Sequence, residues 1–251
     1  MDQTAAESAQ KSSDSKTAGY QSWRQLGFLH WRIDPKALQQ TLPAGLDIEC
    51  FDGSAWLGLV PFSMENVRPW WFPPVPGISS FLETNLRTYV RHPSGLTGVW
   101  FYSLEASSRI GVWTARTFWN LPYHYSTMSL SETHGNDAGI RFACRRHGAR
   151  DVGCEVELRY QEATTDITAA PGSLDEFLLE RYTLFAPTAS GDLRVGRVHH
   201  SPYTYRPVEV LRCEQSLTKP VVPELQLPQA PDHAVFSPGV DVRVSPLQLS
   251  E

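Results

Sequence analysis

Hydrophobic and polar residues alternate with the two-residue period of a β-strand in several separate stretches of the chain. GFLHWRI (27–33) reads as the first strand. Asp34 and Pro35 then supply an N-cap and a first helical residue, and that helix must stop by Pro43. LDIECF (46–51) and AWLGLVPFSM (55–64) read as strands joined through the Asp52–Gly53 turn. FLETNLRTYVR (81–91), GVWFYSLEA (98–106), LRVGRVHH (193–200) and GVDVRV (239–244) continue the pattern, and GIRFACRR (139–146) with CEVELRY (154–160) reads as an antiparallel pair. The spacing predicts a helix over 107–120, with Ile110, Trp113, Thr114 and Thr117 on one stripe, ending before Pro122. The capping box SLDE (173–176) opens a further helix through about Phe185. Between the strands, residues 66–80 carry Pro69, Pro73, Pro74 and Pro76, so no regular element is expected there.

Many short strands with three helices, no internal repeat and no linker imply one α+β domain, mostly β, over residues 20–251, built on an antiparallel sheet. An open sheet of that length leaves edges exposed, which favours closure into a barrel. Residues 1–19 are polar throughout and read as a disordered tail without a signal core. No apolar run approaches the roughly 18 residues that a membrane crossing needs. The net charge of −5, with no basic run, argues against a nucleic-acid partner. Cys50, Cys144, Cys154 and Cys213 form no C-x-x-C pair and read as reduced thiols of a cytoplasmic protein, with two disulfides as the alternative.

The stretch 81–91 carries the candidate chemistry. One face holds Leu82, Thr84, Leu86, Thr88 and Val90; the other holds Phe81, Glu83, Asn85, Arg87, Tyr89 and Arg91. Turned to water, the second face is an ordinary solvated one. Turned into a barrel, it is a set of convergent polar groups. Glu83 and Arg87 lie about 13 Å apart along a strand, so each needs a partner from elsewhere. Arg116, near a helix C-terminus, is either a dipole partner or a fork for a carboxylate. His124 is either a structural residue or a general acid–base group. His199 and His200 are adjacent on a strand and face opposite ways, so they hold no metal together; no zinc motif occurs, and no metal is expected. Glycine-rich nucleotide loops and G-x-S-x-G are absent, so no cofactor is expected. Trp70, Trp71 and Phe72 cover a barrel mouth, form a contact in a homo-oligomer, or pack flat on their own domain.

Six segments in order, FLHWRIDPKALQQTLPAGLDIECFDGSAWLGLVPFSM, PGISSFLETNLRTYVR, ARTFWNLPYHY, PGSLDEFLLERYTLF, VHHSPY and FSPGVDV, resemble the uncharacterised bacterial YqjF-like family over about residues 23–247. That family is more distantly similar to acetoacetate decarboxylase. The resemblance implies a cone-shaped, mostly antiparallel β-barrel with a few flanking helices. The decarboxylases carry a Schiff-base lysine in a segment like YPKK; here the matching segment is LPYHY, which puts Tyr123 and His124 at the amine position. The decarboxylase strand glutamate matches Glu83. The chain has only four lysines, Lys11, Lys16, Lys36 and Lys219, so imine chemistry has little to work with. The expected function is a barrel that binds a small organic acid or enol, as a lyase-type enzyme. Glu83, Tyr123 and His124 are its catalytic candidates, and Asn85, Arg87, Tyr89, Arg116 and His199 its binding candidates. The alternative is a non-catalytic binding or protein-interaction module on the same barrel.

Overall fold

The computed structural model describes residues 17–249, apart from 150, 162–164 and 189. Residues 1–16 of the expected tail lie outside the described part. The first strand, β1 (Gly19–Ile33), begins at once and is followed by α1 (Pro35–Gln39), β2 (Asp47–Ile48), β3 (Ala55–Pro69), β4 (Phe81–Arg91) and β5 (Thr97–Ala106). Then come α2 (Arg109–Trp119), β6 (Tyr123–Thr133), β7 (Gly139–Arg146), β8 (Gly153–Arg159), β9 (Ile167–Thr168) and α3 (Leu174–Leu179). The chain closes with β10 (Thr183–Pro187), β11 (Leu193–His199), β12 (Thr204–Pro207), β13 (Glu209–Gln215), β14 (His233–Val244) and β15 (Gln248–Leu249).

Hydrogen-bonded pairing runs β5–β10–β11–β14–β1–β3–β4 and returns to β5, so the strands close a ring. Its pairs are antiparallel except β5–β10. Strand β5 is the fork. Along one edge it pairs with β4; along the other, Val99 and Trp100 pair with β10 while Leu104 to Ala106 pair with β6. From β6 a second sheet, β6–β7–β8–β13, folds back over the outside of the ring. Its apolar face, with Ile140, Phe142, Val156 and Leu158, packs on Leu29, Trp31, Leu57, Leu59 and Leu86 of the ring wall. The wall strands are therefore covered on both faces, and Glu83 through Val90 of β4 are all buried. The inner face packs Phe28, Trp56, Val60, Phe62 and Tyr89 around Leu178 and Leu179 of α3. Gln25 (φ 56°) and Asn66 (φ 53°) leave the β region, and the β1–β3 register shifts beside both, as at β-bulges.

Two helices differ from the sequence expectation. The SLDE helix stops at Leu179, and residues 183–187 pair in the ring as β10 instead. Ser173 Oγ accepts from the Glu176 amide as predicted, but the Glu176 carboxylate reaches the Gly172 amide rather than closing the reciprocal box. The stripe on α2 faces outward: Ile110, Trp113 and Phe118 are exposed, and Val112 alone of that helix is buried. That helix does end where expected, at Asn120 in the left-handed conformation.

The outer sheet is tied to the ring by a buried ion pair that crosses from β5 to β7. Glu105 is fully buried, and both of its oxygens accept from Arg146, with contacts of 2.5–3.2 Å; Ser126 Oγ adds a bond at 2.6 Å. Removing one partner of such a pair strands the other charge out of water. Arg146→Met is expected to destabilise the protein by about 3–5 kcal/mol in urea denaturation. Adding Glu105→Gln to that variant is expected to restore much of the loss, because it deletes the stranded charge.

Candidate functional site

The polar face of β4 points into the ring. Glu83 shares its row with Phe62 of β3 and Ala106 of β5, Asn85 with Val60 and Leu104, and Arg87 with Gly58 and Phe101. At the Gly58 row a Cβ would stand 3.0 Å from the His30 ring and 3.4 Å from the Arg87 side chain, so glycine there leaves room for the two larger groups.

Glu83 is 2 % exposed, and among the described residues no cation acts on it. Its Oε2 accepts from the Tyr123 hydroxyl at 2.9 Å. Burial pushes the Glu83 carboxyl up to about 8, and the Tyr123 bond only partly offsets this. Burial and the nearby carboxylate also hold the Tyr123 hydroxyl well above its ordinary value. At neutral pH the pair therefore consists of a carboxylic acid and a phenol, both with protons to give. Asn85 Oδ1 and Arg87 Nε, two and four residues along the same strand, are buried without a hydrogen-bond partner among the described residues.

The remaining predicted residues are distributed over four other places. Arg87 Nη2 and the Tyr89 hydroxyl both donate to the Leu178 carbonyl at the end of α3, at 3.0 and 2.9 Å. They hold that helix inside the ring, as a cation favours a helix C-terminus. His124 lies on the opposite face of β6 from Tyr123, in register with Glu105; burial, Arg146 and Arg116 lower its pKa, against Glu105. Arg116 is exposed on α2. His199 faces outward beside Arg243, and it is His200 that turns toward Trp23 and Tyr203. Of the lysines, Lys36 and Lys219 are described and both are exposed.

Sequence reasoning did not find a second buried chain of polar groups. Tyr89 Oη meets His30 Nε2 at 2.9 Å, His30 Nδ1 meets His233 Nδ1 at 3.0 Å, and His233 Nε2 meets Asp175 Oδ1 at 2.8 Å. The Tyr205 hydroxyl donates to the other Asp175 oxygen at 2.6 Å. The Leu178 carbonyl sets the direction of donation. Because it accepts from Tyr89, Tyr89 must accept from His30 Nε2–H. Burial, His233 and Arg87 keep His30 neutral, so its Nδ1 accepts from His233 Nδ1–H. The last bond then requires one proton between His233 and Asp175. Burial works against placing it on His233, and the Asp175 carboxylate works for it. His30 was legible as the inward partner of Phe28 in GFLHWRI, but His233 and Asp175 come from sequence with no such periodicity.

Comparison with known proteins places this geometry in context. The DUF2071 family, described as an uncharacterized conserved protein, matches residues 20–241. The uncharacterized protein YqjF of Bacillus subtilis (strain 168) is 35 % identical over 189 residues, 75 % of each chain. Among solved structures, an acetoacetate decarboxylase-like enzyme from Sphingomonas wittichii RW1 is similar with a TM-score of 0.64 and 16 % identity over 94 % of both chains. The enduracididine biosynthesis enzyme MppR, complexed with pyruvate, gives a TM-score of 0.60 and 14 % identity, covering 95 % of this chain and 93 % of its own. These two likenesses establish the fold, that of the acetoacetate decarboxylase-like proteins.

Two outcomes follow from the buried groups. The Glu83 carboxyl titrates at about 8 in the folded state and near 4.5 when unfolded, so the folded state binds the extra proton between those values. Stability is then fully present below about pH 4.5 and declines as pH rises to about 8. Glu83→Gln is expected to remove that decline, a difference on the order of 4–5 kcal/mol at pH 8 by denaturant titration across the range. In the second chain, an amide at 175 can donate to His233 Nε2 and accept from Tyr205 without the shared proton. Asp175→Asn is therefore expected to cost less than about 1 kcal/mol, whereas His233→Leu, which leaves buried partners unmade, is expected to cost about 1–3 kcal/mol in the same assay.

Proposed function

This chain belongs to the DUF2071 family, and on that premise we propose that its strand ring binds a small organic acid or enol and transfers a proton to it from Glu83. The observation that carries this reading is the buried Glu83–Tyr123 pair, a neutral acid aligned on one strand with the unpartnered Asn85 Oδ1 and Arg87 Nε. Buried polar atoms without partners are few in folded proteins, and each calls for a partner that the described residues do not supply. A carboxylate would accept from Arg87 Nε–H, and a hydroxyl or enol would donate to Asn85 Oδ1. Glu83, protonated at neutral pH, would act as general acid toward carbon or oxygen and then as base, while Tyr123 stays protonated and its hydroxyl donates to the carboxylate that Glu83 becomes.

The reaction class this supports is lyase-type: addition or loss of water, or enol–keto exchange, next to a carboxylate. An imine route is disfavoured because Lys36 and Lys219, the lysines among the described residues, stand in water, and the resemblance to the decarboxylases puts Tyr123 and His124 where those enzymes carry their amine. The pyruvate bound to MppR supports a short keto acid as the first ligand to try.

One observation favours the second reading, a binding module without turnover. Arg87 already spends Nη2 on the Leu178 carbonyl, and Phe28, Trp56, Phe62 and Tyr203 fill much of the ring. A thermal-shift series with short keto, hydroxy and unsaturated acids separates the two. Native-state binding at 100 times the dissociation constant is worth about 2.7 kcal/mol, so a saturable rise in Tm is expected. Asn85→Ala, which breaks no internal side-chain bond, is expected to weaken that shift at least tenfold in ligand concentration. With a ligand in hand, Glu83→Gln is expected to lower turnover by about 10²–10⁴; binding retained with no turnover in the parent protein would favour the module.

A further inference from the structure

Outside the ring, four strands present one row of side chains. Arg68 of β3 pairs in register with Tyr20 of β1, Tyr20 with Arg243 of β14, and Arg243 with His199 of β11. Their neighbours Val198, Val242 and Val244 pack in the ring, which turns this row to the outer face. Arg68 lies over the Tyr20 ring at 4.5 Å. Among the described residues neither Arg68 nor Arg243 makes an ion pair, while the one carboxylate along the row's edge, Asp241, is taken by Arg24 at 2.5 Å. The groove thus holds Arg24, Arg68 and Arg243 against Asp241, an excess of two positive charges on a chain whose net charge is −5.

Above this row stands the proline-rich loop. Trp70 and Trp71 are 63 % and 67 % exposed, and Trp71 meets Phe72 edge to face at 5.6 Å. The loop is held in place rather than free: the Trp70 amide donates to Ala18 O, the Phe72 amide to Pro69 O, and the Val75 amide to Ser79 Oγ at 2.7 Å. Loop and sheet enclose a groove of about 930 Å³, within the range of small-molecule sites. Large aromatic side chains left in water beside unpaired arginines are an unusual surface for a protein to keep.

We infer that this groove is a second ligand site, separate from the ring interior, which takes an organic anion with an apolar body: the carboxylate or phosphate on Arg243 and Arg68, the ring or acyl chain under Trp71 and Phe72. The site is independent of the proposed chemistry at Glu83 and stands or falls separately. A concave, cation-floored groove suits a single amphiphilic anion better than a flat lipid surface, which would need the aromatics to project from a convex face.

The experiment uses the full chain and 2-naphthoate as probe, with 2-naphthylmethanol as its uncharged counterpart and inorganic phosphate as the anion without an apolar body. Binding is followed by calorimetry and by tryptophan fluorescence. The expected result is saturable binding of 2-naphthoate, weakened at least tenfold by Arg243→Ala and by Trp71→Ala, with the alcohol and phosphate each binding at least tenfold more weakly. Each variant is also checked for an unchanged Tm, since both side chains are exposed. Equal binding of acid and alcohol, affinity unchanged in both variants, or binding to vesicles of anionic phospholipid in place of the free acid would overturn the assignment. Loss of binding in Asn85→Ala with Arg243→Ala unaffected would place the probe in the ring and also overturn it.

Discussion

A carboxyl group removed from water must find a cation or keep its proton, and this protein buries two of them within one hydrogen-bonded neighbourhood and settles each differently. Glu105 and Ala106 are consecutive on β5, and β4 places Thr84 and Glu83 opposite them. The two acids therefore face opposite sides of the same wall. On the outer side Glu105 receives the Arg146 guanidinium from β7 in a buried pair. On the inner side Glu83 receives a tyrosine hydroxyl and is pushed toward its neutral form. The outer solution fastens a sheet; the inner one leaves a proton donor in a dry site.

The fork of β5 makes this division physical. Its first half belongs to the ring and its second half also starts the outer sheet through β6. That same junction brings Tyr123 to Glu83 on one face and His124 to Glu105 on the other. Two adjacent residues at the junction thus serve opposite sides of the wall, and they could not act together on one ligand. The far end of the ring is closed by α3, whose terminal carbonyl at Leu178 is held by Arg87 and Tyr89 and, through Tyr89, by the His30–His233–Asp175 chain. Asp175 lies on α3 itself, so the helix is tied to the wall at both its start and its finish.

The strands with clear two-residue alternation were legible because each packs one distinct layer on each face: β4, β5, β7 and β8 all lie where periodicity places them. The strand β6 was not, since YHYSTMSLSET is polar on its exposed face and follows a proline-terminated helix. The stretch TLFAP reads as a helix continuation in sequence and is drawn into the ring only by its partners β5 and β11. The outward stripe of α2 shows the limit of periodicity, which finds an apolar face but not what, if anything, covers it. Glu83 was visible as a candidate from its alternating strand and its match to the decarboxylases. Glu105, in GVWFYSLEA, carried the same signal as any residue of an apolar strand, and only the approach of Arg146 from a distant strand gives it meaning.

The proposed chemistry turns on one proton. Carboxyl ¹³C chemical shifts of glutamate-labelled protein, followed from pH 4 to pH 9.5 and assigned with Glu83→Gln, measure it directly. A Glu83 resonance that titrates near 8 is the predicted result. A Glu83 resonance already ionised by pH 5 would contradict it, because a buried carboxylate without a cation would then have a partner that this structure does not contain.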